Sequence, residues 1–416
     1  MATYTSKLDI IVYGSTGYTG RAVCARLASI AGENNDNDLK FGISGRDKGR
    51  LKALAAELGG VPTFAAAAEV DALTAVFSQT SLVINVAGPY ALCSSNVVAA
   101  CVAARAHYVD VTGESEWVRH MANLHGEAAR SADLVLAHQC GFDSTVADVG
   151  AWRARQALKE ASPSETPSTC SGYIVFHGTP TLTNGTFLTA LESGVGGRET
   201  YAFPPSPSHL RTGAHTPVLP VPPLHSLPSG AHQCALPGAP TDAKANLMQQ
   251  PDAPMVNWSN AMRGEAGIEY AQYAIFAGSV PLCRKFALAS VGLLAVLASA
   301  FCKLLPSGMG ASARKGVVHM RGHHAGPTQR DIERTHVTAL FECKGSDGGV
   351  GRVRVEVGEA YAWTATAAVA TALAVLKDRG TGRCPRTNGS MPPVGGLGEP
   401  LVERLIAAGM RVTTFE

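Results

Sequence analysis

A run of six strand-like residues, Leu8-Asp9-Ile10-Ile11-Val12-Tyr13, leads without a break into Gly14-Ser15-Thr16-Gly17-Tyr18-Thr19-Gly20 and then into a helix-like stretch at 21–31. A buried strand that turns sharply needs a permissive backbone, which Gly14 supplies. Gly17 lets the backbone come close to a bound group, and Gly20 lets the new helix pack closely on a sheet. The N–H groups at the helix start have no intrahelical acceptor and so face an anion. Strand, glycine loop and helix together point to a unit that cradles the pyrophosphate of a dinucleotide. The spacing is GxxGxxG rather than the commoner GxGxxG, so the flanking strand and helix carry the meaning. Glycines serving only helix packing are the competing account.

Downstream, strand and helix signals alternate, as in parallel βαβ units. Further strands are expected at 40–44, 62–66, 82–86, 107–111 and 134–138, with helices at 48–58, 73–78, 96–104 and 116–131. The expected fold is therefore α/β: an N-terminal Rossmann doubly wound parallel sheet over 1–150, with a second, smaller α+β domain over 151–355. Within that second part, 171–177, 315–321, 335–344 and 351–357 read as strands, two of them alternating as in an antiparallel sheet with one solvated face. Helices at 360–376 and 399–408 belong to a C-terminal part, 356–416, expected to pack back on the first domain.

Two stretches interrupt this pattern. Residues 203–240 are crowded with proline, which excludes regular elements, and His209, His215, His225 and His232 within them lack metal-ligand spacing. Residues 286–302 carry no charge and are bounded by Lys285 and Lys303. About seventeen residues lies at the lower limit for crossing a ~30 Å hydrocarbon core. A buried core helix, a membrane-dipping hairpin and a spanning helix all remain open there.

Net charge is +2 with no basic run, which argues against a nucleic-acid partner. The 10 cysteines are scattered singly, without CxxC or Cys/His spacing, so neither structural zinc nor a disulfide framework is expected. Reduced thiols and the lack of a secretory leader suggest an intracellular, cytoplasmic protein. A small-molecule substrate is the expected partner, and a homodimer is compatible with the chain.

The second strand ends in Ser44-Gly45-Arg46-Asp47. Small residues stand where an NAD-preferring site offers a carboxylate, and Arg46 can meet a 2′-phosphate with a bidentate fork. NADP(H) is therefore favoured over NAD(H), the alternative being that Asp47 folds back to the ribose. Glu69 or Asp71, after the third strand, can reach the adenine or cap a helix. Ala87-Gly88-Pro89, after the fourth strand, is placed beside the nicotinamide ribose.

Taken in order, Gly14–Gly20, Ser44-Gly-Arg46, Val86-Ala-Gly-Pro-Tyr90, Tyr108-Val-Asp-Val-Thr-Gly-Glu114 and Cys140-Gly-Phe-Asp-Ser144 resemble the saccharopine dehydrogenase-like oxidoreductases, which include bacterial trans-acting enoyl reductases. Gly389-Ser-Met-Pro-Pro-Val-Gly-Gly-Leu-Gly398 and 401–411 are similar to that family's C-terminal end. Residues 184–189 are similar to its Gly-Thr-x-x-Ser segment, with Thr189 in place of the serine. The resemblance implies a link to lipid metabolism, including glycolipid biosynthesis, and to lipid-droplet or membrane surfaces through 286–302. It does not imply saccharopine dehydrogenase activity, because fold alone does not carry function.

Hydride transfer needs a group to settle a proton beside the nicotinamide. Tyr90, Glu114 and Asp143 are the candidates, each at the end of a strand. Each also has a structural alternative: stacking for Tyr90, helix capping for Glu114 and Asp143. Cys140 is a weaker nucleophile candidate. No tyrosine has a lysine four residues on, which removes the Tyr-x-x-x-Lys mechanism of short-chain reductases. The expected activity is NADP(H)-dependent hydride transfer involving a lipid-like or polyketide-derived enoyl or carbonyl group. The rival is a non-catalytic nucleotide-binding protein at membranes or lipid droplets.

Overall fold

The computed structural model describes residues 7–32, 39–178, 183, 186, 244–245, 249–265, 268–277 and 326–415. The proline-rich stretch 203–240, the apolar segment 286–302, the strand expected at 315–321 and all of 184–189 except Thr186 lie outside them.

Strands β1 (Leu8–Tyr13), β2 (Phe41–Gly45), β3 (Thr63–Ala65), β4 (Thr80–Asn85), β5 (His107–Asp110) and β6 (Val135–Ala137) form a parallel sheet. They alternate with helices α1 (Tyr18–Gly32), α2 (Lys48–Glu57), α3 (Val70–Phe77), α4 (Tyr90–Cys93), α5 (Ser95–Ala104) and α6 (Ser115–Ser131). The order β3-β2-β1-β4-β5-β6 is doubly wound, as expected. Parallel strands covered on both faces need apolar residues on both. In β1, Ile10 and Val12 enter one core while Ile11 and Tyr13 enter the other.

Helix α7 (Phe142–Ala161) then carries the chain from the first sheet to a second one, passing the expected division at 150 without a break. That sheet contains β7 (Pro167–His177), β8 (Lys244–Ala245), β9 (Glu269–Ala277), β10 (His336–Gly345) and β11 (Val350–Val357). Strands β10 and β11 are antiparallel, with Val337 opposite Val357, whereas β7 and β9 are parallel. The sheet is mixed, and α7 lies on one face. A Cβ on Gly150 would fall 2.0 Å from the Phe341 ring, and one on Gly351 2.2 Å from the Leu158 nitrogen. Helix and sheet therefore approach closer than side chains allow.

Helix α8 (Gln249–Met262), the short α9 (Gln329–Arg334), α10 (Ala360–Lys377), β12 (Gly389–Met391), α11 (Pro393–Leu397), α12 (Glu399–Ala407) and β13 (Arg411–Thr414) complete the described chain. Helix α10 packs on α1. Strand β12 becomes the first sheet's seventh strand, parallel to β6, and β13 pairs antiparallel with β11. Neither strand was expected from the sequence, nor were α4, α8 and β9. Helix α10 is long and apolar enough to cross a membrane, yet Ala367, Ala368, Ala372 and Ala374 are wholly buried against protein.

Candidate functional site

The loops after β1 and β4 meet at the carboxyl edge of the first sheet. Gly14 adopts φ +82°, and a Cβ there would lie 2.9 Å from the Ala87 nitrogen. At Gly20 a Cβ would lie 2.3 Å from the Gly14 carbonyl oxygen, so α1 can start here only without a side chain at that position. Gly17 and Gly88 are exposed and leave backbone open to a ligand. Helix α1 begins at Tyr18, earlier than expected, and its first-turn N–H groups have no intrahelical acceptor. This cradle fits a pyrophosphate.

The side chains expected at the cofactor divide into two groups. Ser15 and Ser44 are fully buried; the Ser15 hydroxyl donates to Ser44 O at 3.2 Å, and that of Ser44 to Phe64 O at 3.0 Å. They shape the loops. Tyr18 donates to Pro327 O at 2.7 Å and sets its ring edge-on to Tyr361, with centroids 5.8 Å apart. Burial, reinforced by Glu359, pushes its phenol up to about 12. Thr16 is half-buried, and Arg46 and Asp71 are exposed. Asp47 accepts from Arg50 N at 3.0 Å as the N-cap of α2. The carboxylate beside Arg46 is thus engaged as a cap, while the Arg46 charge acts on Tyr13 and Cys93 near the glycine loop.

Ala87 and Pro89 sit on a buried frame that sequence reasoning missed. Asn85 Oδ1 accepts from Ala87 N at 3.1 Å, and its Nδ2 donates to Ser94 Oγ and to Tyr108 Oη, each at 3.0 Å. Tyr90 is 6% exposed, and its hydroxyl donates to Asn85 O at 3.1 Å. Burial pushes its phenol well up. Glu114 accepts from Tyr90 N and Ala91 N, both at 2.8 Å, one with each carboxylate oxygen. That geometry holds the first turn of α4. Tyr90 and Glu114 are thus brought together, backbone to carboxylate.

Asp143 lies apart from that pair, in the first turn of α7. It lines a cleft with Thr19 of the glycine loop, Thr112, Ser144, Thr186 and Tyr361. A helix N-terminus favours the carboxylate anion, but burial dominates and pushes the Asp143 carboxyl up to about 7. Behind it, the wholly buried Asp252 on α8 accepts from the Ser144 hydroxyl at 3.0 Å. Tyr361 donates to the Thr186 hydroxyl at 2.8 Å and accepts from Thr183 N at 3.1 Å. Neither Asp252 nor Tyr361 carries a sequence signal: one follows a proline-rich stretch, the other opens an alanine-rich helix.

Asp110 organises the loops at the cleft's edge. Its Oδ2 lies 2.7 Å from His138 Nδ1, and its Oδ1 accepts from Thr112 N and Gln139 N at 3.1 and 2.9 Å. Cys140 is fully buried and burial pushes its thiol well up, away from the nucleophilic thiolate.

Comparison with known proteins converges on the same region. Residues 10–136 match the family model described as the saccharopine dehydrogenase NADP binding domain. A trans-acting enoyl reductase of Mycobacterium ulcerans is 25% identical over 435 residues, covering 99% of each chain. A lipid droplet localized protein of Caenorhabditis elegans is 29% identical over 154 residues, 35% of each chain. Among solved structures, apo saccharopine dehydrogenase (L-Glu forming) from Saccharomyces cerevisiae superposes with a TM-score of 0.51 at 13% identity, over 98% of this chain and 100% of that one. That likeness is one of fold.

Proposed function

We propose that the chain is a saccharopine dehydrogenase-like oxidoreductase whose first domain binds NADP, and that it reduces an enoyl or carbonyl group on a lipid-like or polyketide-derived substrate. The observation that carries this reading is Asp143, a carboxyl that holds its proton up to about 7 in a cleft that Thr19 of the glycine loop also lines. The bound cofactor supplies a hydride. The protein's part is to hold it, seat the acceptor and deliver a proton.

In this reading the first-turn N–H groups of α1 take the pyrophosphate, and Arg46 takes the 2′-phosphate. Asp71 faces the adenine end. Ala87, Gly88 and Pro89 line the nicotinamide ribose. Tyr90 and Glu114 hold α4 in place beneath that loop, and Asp143 gives its proton to the reduced substrate and regains one from solvent through the cleft. The substrate class is supported by the names of the M. ulcerans and C. elegans relatives.

The test is NADPH oxidation, followed optically, with medium- and long-chain enoyl and carbonyl thioesters. The wild-type chain is expected to turn over at least one of them. Asp143→Asn should lower kcat by about 10²–10⁴-fold, the usual worth of a general acid, while NADPH still binds. No turnover across the set, or full turnover by the variant, contradicts the reading. The alternative of a surface-associated nucleotide-binding protein draws on the uncharged sequence 286–302 and the lipid droplet relative. It predicts that deleting 286–302 abolishes co-flotation with lipid droplets while NADPH binding persists.

A further inference from the structure

Resting on the reductase reading, we propose that Thr186 is the hydrogen-bond donor that takes the substrate's carbonyl oxygen, and that Tyr361 positions it by filling one of its lone pairs.

A hydroxyl carries one proton and two lone pairs. Thr186 Oγ1 accepts from the Tyr361 hydroxyl at 2.8 Å. It also lies 3.2 Å from Thr183 Oγ1, a bond in which either oxygen can donate. Burial decides the direction. Thr183 is 4% exposed, and its Oγ1 already accepts from Thr186 N at 3.3 Å. Were Thr186 the donor, the Thr183 proton would be buried with no acceptor among the described residues, which folded proteins avoid. Thr183 therefore donates, and both lone pairs of Thr186 are filled. Its own proton is what it has left to offer. Thr186 is half-buried and lines the cleft, so it can meet only an acceptor there.

Tyr361 is itself held in place. Its hydroxyl accepts from Thr183 N at 3.1 Å, Glu359 accepts from its backbone N–H at 2.9 Å, and its ring stands edge-on to Tyr18 of the glycine loop. The other cleft hydroxyls are engaged differently. Ser144 donates to Asp252 at 3.0 Å, and Thr364 donates to Ala360 O at 2.9 Å while accepting from Phe142 N at 3.1 Å. Thr112 accepts from Glu114 N at 3.0 Å and keeps a lone pair. Among the described residues, no Lys, Arg or His lines the cleft, so nothing there balances a free carboxylate. A neutral carbonyl needs only donors. In enoyl reduction, hydride adds to the β carbon, the π electrons move into an enolate whose charge rests on the carbonyl oxygen, and the α carbon takes the Asp143 proton. A donor already fixed at that oxygen stabilises the charge as it develops.

The test uses the full chain with oxidised NADP and a trans-2-enoyl thioester of N-acetylcysteamine, isotope-labelled at its carbonyl, so that nothing turns over. Infrared difference spectra of the bound probe are expected to show the carbonyl stretch at lower frequency than in water. Thr186→Val keeps the side chain's shape and removes the hydroxyl; it should abolish the extra shift, whereas Thr186→Ser, which keeps the hydroxyl, should retain it. The opposite pattern, an unchanged shift in Thr186→Val, or no binding of the probe overturns the proposal. Should Thr186→Val fail to fold, Tyr361→Phe serves instead and should diminish the shift; an unaltered shift there overturns the proposal equally. With NADPH, Thr186→Val is expected to lower kcat about 10²–10³-fold, the usual worth of one such donor, and KM much less. A shift that depends on Thr186 without any turnover would sink the reductase reading alone, and full turnover by Thr186→Val would sink the donor alone.

Discussion

At the scale of single residues, the site depends on which of two opposing effects wins at each titratable group. Asp143 sits where a helix terminus would lower a carboxyl pKa, and desolvation overrides it. Asp148, five residues on in the same helix, is pushed up to about 6 by burial despite the nearby Arg263. Both hold their protons more tightly when folded than the ordinary value of 3.8 allows. The stability they lend is therefore complete below that value and is lost as pH rises through about 6 and about 7. Thermal unfolding should show a melting temperature that falls from about pH 4 to about pH 8, with a shallower fall in Asp143→Asn; parallel curves would contradict the assignment. Arg46 makes a separate prediction. It is exposed beside a capped Asp47, so Arg46→Ala should weaken NADPH about 10- to 100-fold, the worth of one or two charge-assisted hydrogen bonds, and leave NADH unchanged. Equal losses for both cofactors would show that Arg46 does not read the 2′-phosphate.

At the scale of elements, legibility followed how much apolar sequence each element carries. Strands β1 and β4 carry the apolar runs Ile10-Ile11-Val12 and Leu82-Val83-Ile84 because helices cover both faces, and that pattern is visible in the chain itself. Strand β12 is only three residues long, opening on Gly389 and followed by two prolines, and β13 is an exposed polar edge, so pairing partners alone make them strands. Helix α8 contains Pro251 near its start and Pro254 inside, which hid both the helix and the Asp252 it carries. The glycine loop was readable as a cofactor cradle; the cleft was not, because its walls come from residues 19, 143, 251 and 361, distant in sequence. Packing of α7 on the second sheet gives the prediction at this scale. A methyl at Gly351 would meet backbone, 2.2 Å from Leu158 N and 2.3 Å from Ala154 O, with no rotamer to relieve it. Gly351→Ala should cost about 1–3 kcal/mol or more in chemical denaturation. Gly358→Ala, with nothing within 4 Å, is the control and should be near neutral. Similar midpoints for the two variants would mean the close approach is not real.

At the scale of the whole molecule, one apolar cluster runs from Ile10 and Val12 under the first sheet, through Val146 and Ala368, to Phe341 and Val353 in the second. Helices α7 and α10 are its shared members, and both bring residues to the cleft: Asp143 and Ser144 from one, Tyr361 and Thr364 from the other. The second sheet thus braces the elements that face the cofactor loop. The ordered strand-end motifs had already pointed to the saccharopine dehydrogenase-like group, and the match over residues 10–136 bears that out together with NADP as cofactor. The remaining question is whether the cradle and Arg46 act as one selective site. Isothermal titration of the full chain with NADPH and, separately, NADH answers it. The account predicts a single site that binds NADPH at least ~10-fold tighter than NADH, the difference carried by ~1.4 kcal/mol or more at the 2′-phosphate. Binding of neither nucleotide, or of NADH as tightly as NADPH, would contradict it.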